Sequence, residues 1–96
     1  MYGTVAKLRV KPGMDQALKK QQEGFEALHI PGFVRATVYQ MDADSSEYYL
    51  AVVFESKAAY HANANDPAQN KRYEEMRALL AEDPEWHDGE ITHSTG

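Results

Sequence analysis

Glu47-Tyr48-Tyr49-Leu50-Ala51-Val52-Val53-Phe54 is rich in β-branched and aromatic residues and apolar on both of its faces. At the period of a strand, Tyr48, Leu50, Val52 and Phe54 point one way, and Tyr49, Ala51 and Val53 the other. An antiparallel sheet that is wet on one side alternates apolar with polar residues. This segment does not, so both of its faces are expected to be covered. Phe33–Gln40, just before it, is nearly as two-sided, with Val34, Ala36 and Val38 opposite Phe33, Thr37 and Tyr39. The polar run Asp42-Ala43-Asp44-Ser45-Ser46 joins the two as a hairpin loop.

Working outward, Gly3 to Val10 alternates Thr4, Ala6, Leu8 and Val10 against Val5, Lys7 and Arg9, and reads as a strand that Lys11-Pro12-Gly13 stops. Met14 to Leu28 reads as a helix, with Met14, Ala17, Leu18, Gln21, Phe25 and Leu28 on one face; His29-Ile30-Pro31-Gly32 ends it. His29 there suits a capping or solvated role, favourable to the helix dipole when charged. Ser56 is placed to cap a short helix that ends near Asn65. Asp66-Pro67-Ala68-Gln69 opens another, with an N-cap, a proline at the first turn and a glutamine in capping-box position. That helix runs to about Leu80 through Tyr73, Met76 and Leu79. Asp83-Pro84-Glu85-Trp86-His87-Asp88-Gly89-Glu90 announces a last strand, from about Trp86 to Ser94. The order is β–α–β–β–α–β, an α+β ferredoxin-like domain over residues 1–96, with a four-stranded antiparallel sheet and its helices on one face. A second copy of the chain, as a two-fold homodimer, would cover the other face. The plainer alternative is a buried central strand with scattered surface apolar residues.

Composition excludes several functions. The 96 residues carry a net charge of -5 and no cluster of basic residues, which argues against nucleic acid or an anionic membrane surface. The chain has no cysteine, so disulfides, thiolate nucleophiles and cysteine-ligated metals are all out of reach. The longest apolar run, Tyr48 to Phe54, is far short of a membrane span. The amino terminus enters a strand almost at once, without a charged-then-apolar leader, and a soluble, cytoplasmic protein is expected. No metal site is expected. No two histidines share helical i, i+4 spacing, and His87 and His93 on one strand would stand about 20 Å apart. No glycine-rich loop follows a strand and opens a helix, so no nucleotide cofactor is expected either.

Val10-Lys11-Pro12-Gly13-Met14, Ile30-Pro31-Gly32-Phe33 and Val53-Phe54-Glu55-Ser56-Lys57-Ala58-Ala59-Tyr60, in this order and spacing, resemble the dimeric α+β barrel superfamily and its antibiotic-biosynthesis-monooxygenase-like group. The resemblance covers essentially the whole chain. It implies two sheets packed face to face in a dimeric α/β barrel, and in each subunit a pocket between helices and sheet. It implies one of several activities: cofactor-independent monooxygenation, haem degradation, or isomerase chemistry. The haem-degrading branch uses an Asn, a Trp and a His at positions that align with Ala6, Asn63 and Tyr73. None of the three residue types is retained, and a haem role is not expected.

The first activity the resemblance implies is cofactor-independent oxygenation of a small aromatic or polyphenolic compound, with dioxygen as co-substrate and no cofactor. It needs a base or hydrogen-bond acceptor near a phenolic hydroxyl, a polar group to hold the anion, and an apolar, water-poor pocket. Asn63, Tyr73 and His87 are the catalytic candidates; Trp86, His61, Phe25, Met76 and Leu80 are candidates to line the pocket. Each has a structural alternative. Asn63 could end its helix, and Tyr73 at helical spacing with Met76 and Leu80 could be core. Trp86 could anchor packing, and His61 and His87 could be solvated surface histidines. A rival from another class is a non-catalytic small-molecule binder or assembly module that keeps the dimer and lacks the chemistry.

Overall fold

The computed structural model describes residues 1–96, the side chain of Glu26 excepted. Four strands, β1 (Tyr2–Arg9), β2 (Phe33–Gln40), β3 (Glu47–Phe54) and β4 (Glu85–Glu90), lie side by side in the order β2-β3-β1-β4. All three pairings are antiparallel. The helices are α1 (Asp15–Glu23), α2 (Lys57–Ala64) and α3 (Pro67–Arg77), with a 3-10 turn over Gly24–Leu28. This is the expected ferredoxin-like arrangement. Among the described residues no helix is long and apolar enough to cross a membrane.

The register shows which face of each strand meets the helices. Thr4, Ala6 and Leu8 sit opposite Val52, Leu50 and Tyr48, and these residues form one continuous covered face. Ala6, Leu8, Val10, Tyr48 and Leu50 join Leu18 of α1, Met76 of α3 and Leu80 in the core. The opposite face carries Val5 and Lys7, Thr37 and Tyr39, Tyr49, Ala51 and Val53, and His87. Val5, at the middle of that face, is 49% exposed.

Four local departures from the expected elements have identifiable causes. The helix expected over Met14–Leu28 stays α-helical only to Glu23 and tightens to 3-10 at Gly24, a poor residue for a helix interior. α3 ends at Arg77 rather than Leu80, because the chain beyond it is drawn onto the end of β1. Lys11 N–H donates to the Leu79 carbonyl (2.9 Å) and Ala81 N–H to the Arg9 carbonyl (2.8 Å), around a Val10–Leu80 bridge. β4 stops at Glu90 rather than Ser94, since its last pair with β1 is Tyr2–Glu90. Phe33 lies on the covered face, opposite Phe54, and not with Thr37 and Tyr39. A register shift between Phe33 and Arg35 inserts one residue and reverses the alternation.

Side-chain caps open α2 and α3. Ser56 Oγ accepts from Ala59 N–H (3.1 Å), and Asp66 Oδ1 accepts from Ala68 N–H (2.9 Å) with Pro67 in the first turn. Gln69 does not close a capping box; its carbonyl oxygen accepts from Arg72 Nε instead. Ile30-Pro31-Gly32-Phe33 forms a tight turn, with Phe33 N–H donating to the Ile30 carbonyl and Gly32 at φ 76°. A Cβ at Gly32 would lie 2.5 Å from Ala59 Cβ on α2. Gly32→Ala is thus expected to cost at least about 1–2 kcal/mol in backbone strain alone. That corresponds to a melting temperature lower by roughly 10 °C in a thermal scan; an unchanged melt would show the turn to be dispensable.

Candidate functional site

Between the covered face of the sheet and the helices lies a cavity of about 410 Å³. Its floor is Leu50, Val52 and Phe54 of β3, and Phe25 and Met76 close it from the 3-10 turn and α3. This lining follows from local geometry. Residues one turn apart on a helix share a face, which brings Tyr60 and Asn63 of α2 into the cavity together, and Tyr73 and Met76 of α3 likewise. On β4, alternate residues share a face, and Trp86 and Asp88 both line the cavity. The Tyr73 and Trp86 rings stand 6.2 Å apart at 50° and form an aromatic wall. The Arg72 guanidinium lies 6.0 Å from the centre of the Phe25 ring.

Of the residues singled out in the sequence, Asn63, Tyr73, Trp86, Phe25 and Met76 line this cavity. His61, His87 and Leu80 do not. Trp86 and His87 are neighbours on one strand, so only one of them can face the helices. His87 pairs with Val5 on the opposite face, and its Nε2 lies 3.0 Å from Glu85 Oε1. His61 packs against Tyr2 and Tyr60, ring centres 5.9 and 5.5 Å away, outside the cavity. Leu80 is fully buried in the core.

The sequence reading passed over a polar group at one end. Tyr60 Oη donates to Asp88 Oδ1 at 2.9 Å, joining α2 to β4. Burial, with the Asp88 hydrogen bond and charge, pushes the Tyr60 phenol up to about 12. Thr4, opposite Asp88 in the sheet, also lines the cavity and is only 6% exposed. Its hydroxyl lies near the Tyr60 oxygen and makes no hydrogen bond of good geometry among the described residues. The i, i+2 relation of Asp88 to Trp86 and the i, i+3 relation of Tyr60 to Asn63 were the signals available in the sequence.

A ferredoxin-like α+β domain with an aromatic-walled helix–sheet cavity is the class these features define. Residues 1–78 match the model of the family described as antibiotic biosynthesis monooxygenase, and the chain belongs to that family. Solved structures of similar fold include a Nitrosomonas europaea protein named for the same family, at 18% identity and TM-score 0.82, over 99% of this chain and 93% of that one. A Chloroflexus aurantiacus protein, also named for the family, is similar at 24% identity and TM-score 0.71, over 99% and 98% of the two chains. SnoaB of Streptomyces nogalater, a cofactor-independent oxygenase, is similar at 20% identity and TM-score 0.79, over 97% and 94%. No curated protein matches the chain.

The positions aligned with the haem-degrading branch carry no haem ligand of that branch. Ala6 is fully buried in the core, Asn63 and Tyr73 line the cavity, and no histidine is among the described residues that line it. Hemin titration is expected to produce only a weak, nonspecific spectral change, with no reductant-dependent loss of the Soret band. Stoichiometric binding with turnover would show that the pocket lies elsewhere or that another histidine, such as His61 or His87, serves as a ligand.

Proposed function

We propose that this chain is a cofactor-independent monooxygenase acting on a small aromatic or polyphenolic compound bound in the helix–sheet cavity. The observation that carries this reading is the meeting of Asn63 and Tyr73, from neighbouring helices, with Trp86 in one largely apolar cavity. Asn63 and Tyr73 are the polar groups proposed to hold a substrate phenolate; Trp86, Phe25 and Met76 would stack on it and keep water away. The substrate supplies the electrons. The phenolic proton leaves to bulk water, and the electron-rich phenolate transfers an electron to dioxygen. Recombination forms a carbon–oxygen bond, the peroxide takes a proton back from water, and the hydroperoxide loses water to leave a quinone carbonyl. One oxygen atom ends in the product and the other in water.

The reading includes a homodimer formed through the open face of the sheet. Val5, Ala51 and Val53 lie at its centre, with Lys7, Arg35, Glu85 and His87 around them, as in an interface with an apolar core and a polar rim. A cytoplasmic location fits an acidic chain without cysteine. An oxygen electrode tests the activity. With a naphthohydroquinone as substrate, in chelator and without flavin, uptake is expected to exceed that of heat-denatured protein and to track product. A non-catalytic binder would instead quench Trp86 fluorescence and leave oxygen uptake at the denatured baseline.

A further inference from the structure

We infer that Thr4, Tyr60 and Asp88 form a second polar subsite, which receives a hydroxyl group at the far end of a polyhydroxylated aromatic ligand. The inference rests on the cavity being the ligand site and goes beyond it by naming the feature that selects the ligand. Two observations meet there. Tyr60 Oη spends its proton on Asp88 Oδ1, 2.9 Å away. With its phenol pushed up to about 12, Tyr60 stays a donor near neutral pH and supports Asp88 as the acceptor. Thr4 faces Asp88 across the β1–β4 pairing; its buried hydroxyl lies near the Tyr60 oxygen but makes no hydrogen bond of good geometry. Buried polar groups are rarely left so, and an unpaired one calls for an explanation.

A hydroxyl group matches these three residues better than a carbonyl or an amine. A carboxylate accepts at two oxygens, and the Tyr60 bond leaves capacity for a second donor. A ligand hydroxyl can give its proton to Asp88 and, through its oxygen, take one from Thr4. A carbonyl has no proton for Asp88. An ammonium can donate to both Asp88 and the Thr4 oxygen, but it offers no lone pair for the Thr4 proton, which stays unplaced. The placement also sets the ligand's shape. Trp86 and Asp88 are two strand positions apart, about 6–7 Å, and Tyr60 and Asn63 one helical turn apart, about 5–6 Å. Because Asp88 is bonded to Tyr60, the Thr4–Asp88 pair and Asn63 are separated by about one helical turn along the cavity wall, with Tyr73 beside Trp86. That favours a ring oxygenated at both ends.

Calorimetric titration under argon tests this, because binding is then read without turnover. The probes are 1,4-dihydroxynaphthalene and its monomethyl ether, which can satisfy only one of the two ends whichever way it lies. The wild-type protein is expected to bind the diol roughly ten- to a hundredfold tighter than the ether, the range for a hydrogen bond to a charged group. In Asp88→Ala the diol should weaken to the level of the ether, whose own affinity should hardly change. Thr4→Val should remove part of the preference. Equal binding of diol and ether by the wild type would overturn the subsite, with no variant required; so would full preference retained in Asp88→Ala. Should oxygen uptake fail while the preference holds, the oxygenase reading falls and the subsite stands. Should uptake hold without the preference, the subsite alone falls.

Discussion

Replacing Asn63 by Ala, or Tyr73 by Phe, is expected to lower substrate-dependent oxygen uptake by about a hundred- to a thousandfold while the protein stays folded and loses about 1 kcal/mol of stability or less. The two effects separate because they draw on different interactions. A preorganised hydrogen bond to charge that develops in the transition state is worth about 2.7–4 kcal/mol in rate. The same truncation in the resting protein removes a partly exposed polar group and costs about 1 kcal/mol or less. In a domain of this size that moves the melting temperature by roughly 4–8 °C at most. Asn63 and Tyr73 both sit at the cavity wall, and neither belongs to the cluster of buried residues around Leu8, Leu18 and Leu80. The Tyr73 ring also packs on that cluster, which is why Tyr73→Phe, retaining the ring, is the informative change. Steady-state kinetics beside melts of both variants check the expectation. Unchanged kcat in both would place the chemistry elsewhere.

The second large effect concerns assembly. Val5→Asp is expected to convert a species near twice 10.8 kDa into one near 10.8 kDa in light scattering, with secondary structure intact. Val5 pairs with Ala51 and with His87 at the middle of the open face. In a lone protomer it is 49% exposed, so a carboxylate there stays hydrated and costs little. Beneath a second sheet the same carboxylate would be buried without a partner, at a cost of several kcal/mol. Val53→Asp is a poorer test, because Val53 is only 8% exposed within the single chain and would destabilise the protomer itself. A wild-type protein that scatters as a monomer at micromolar concentration would contradict the dimer. An unaltered dimer in Val5→Asp would move the interface to another surface.

How far the sequence could be read depends on the range of the forces involved. β2 and β3 match their expected bounds, Phe33–Gln40 and Glu47–Phe54, because composition and the loop Asp42–Ser46 are local signals. The caps at Ser56 and Asp66 are equally local, each satisfied within three residues of itself. The facing of Phe33 was not legible, since the inserted residue that reverses it shows only once β2 is laid against β3. Nor was the choice between Trp86 and His87, which turns on which face of β4 meets the helices. The Tyr60–Asp88 bond joins residues 28 apart in the chain, and only the placing of β4 beside β1 brings Asp88 under α2. Periodicity could put Tyr60 with Asn63, and Asp88 with Trp86, but not the two pairs with each other.

Mass spectrometry of the product formed under ¹⁸O₂ tests the central claim most directly. Wild-type protein, chelator and a naphthohydroquinone, in buffer free of flavin and metal, should yield a hydroxylated quinone carrying one labelled oxygen, with the other label in water. The label should be absent when the protein is heat-denatured. Unlabelled quinone accompanied by hydrogen peroxide, or no product above the denatured control, would contradict monooxygenation in this cavity.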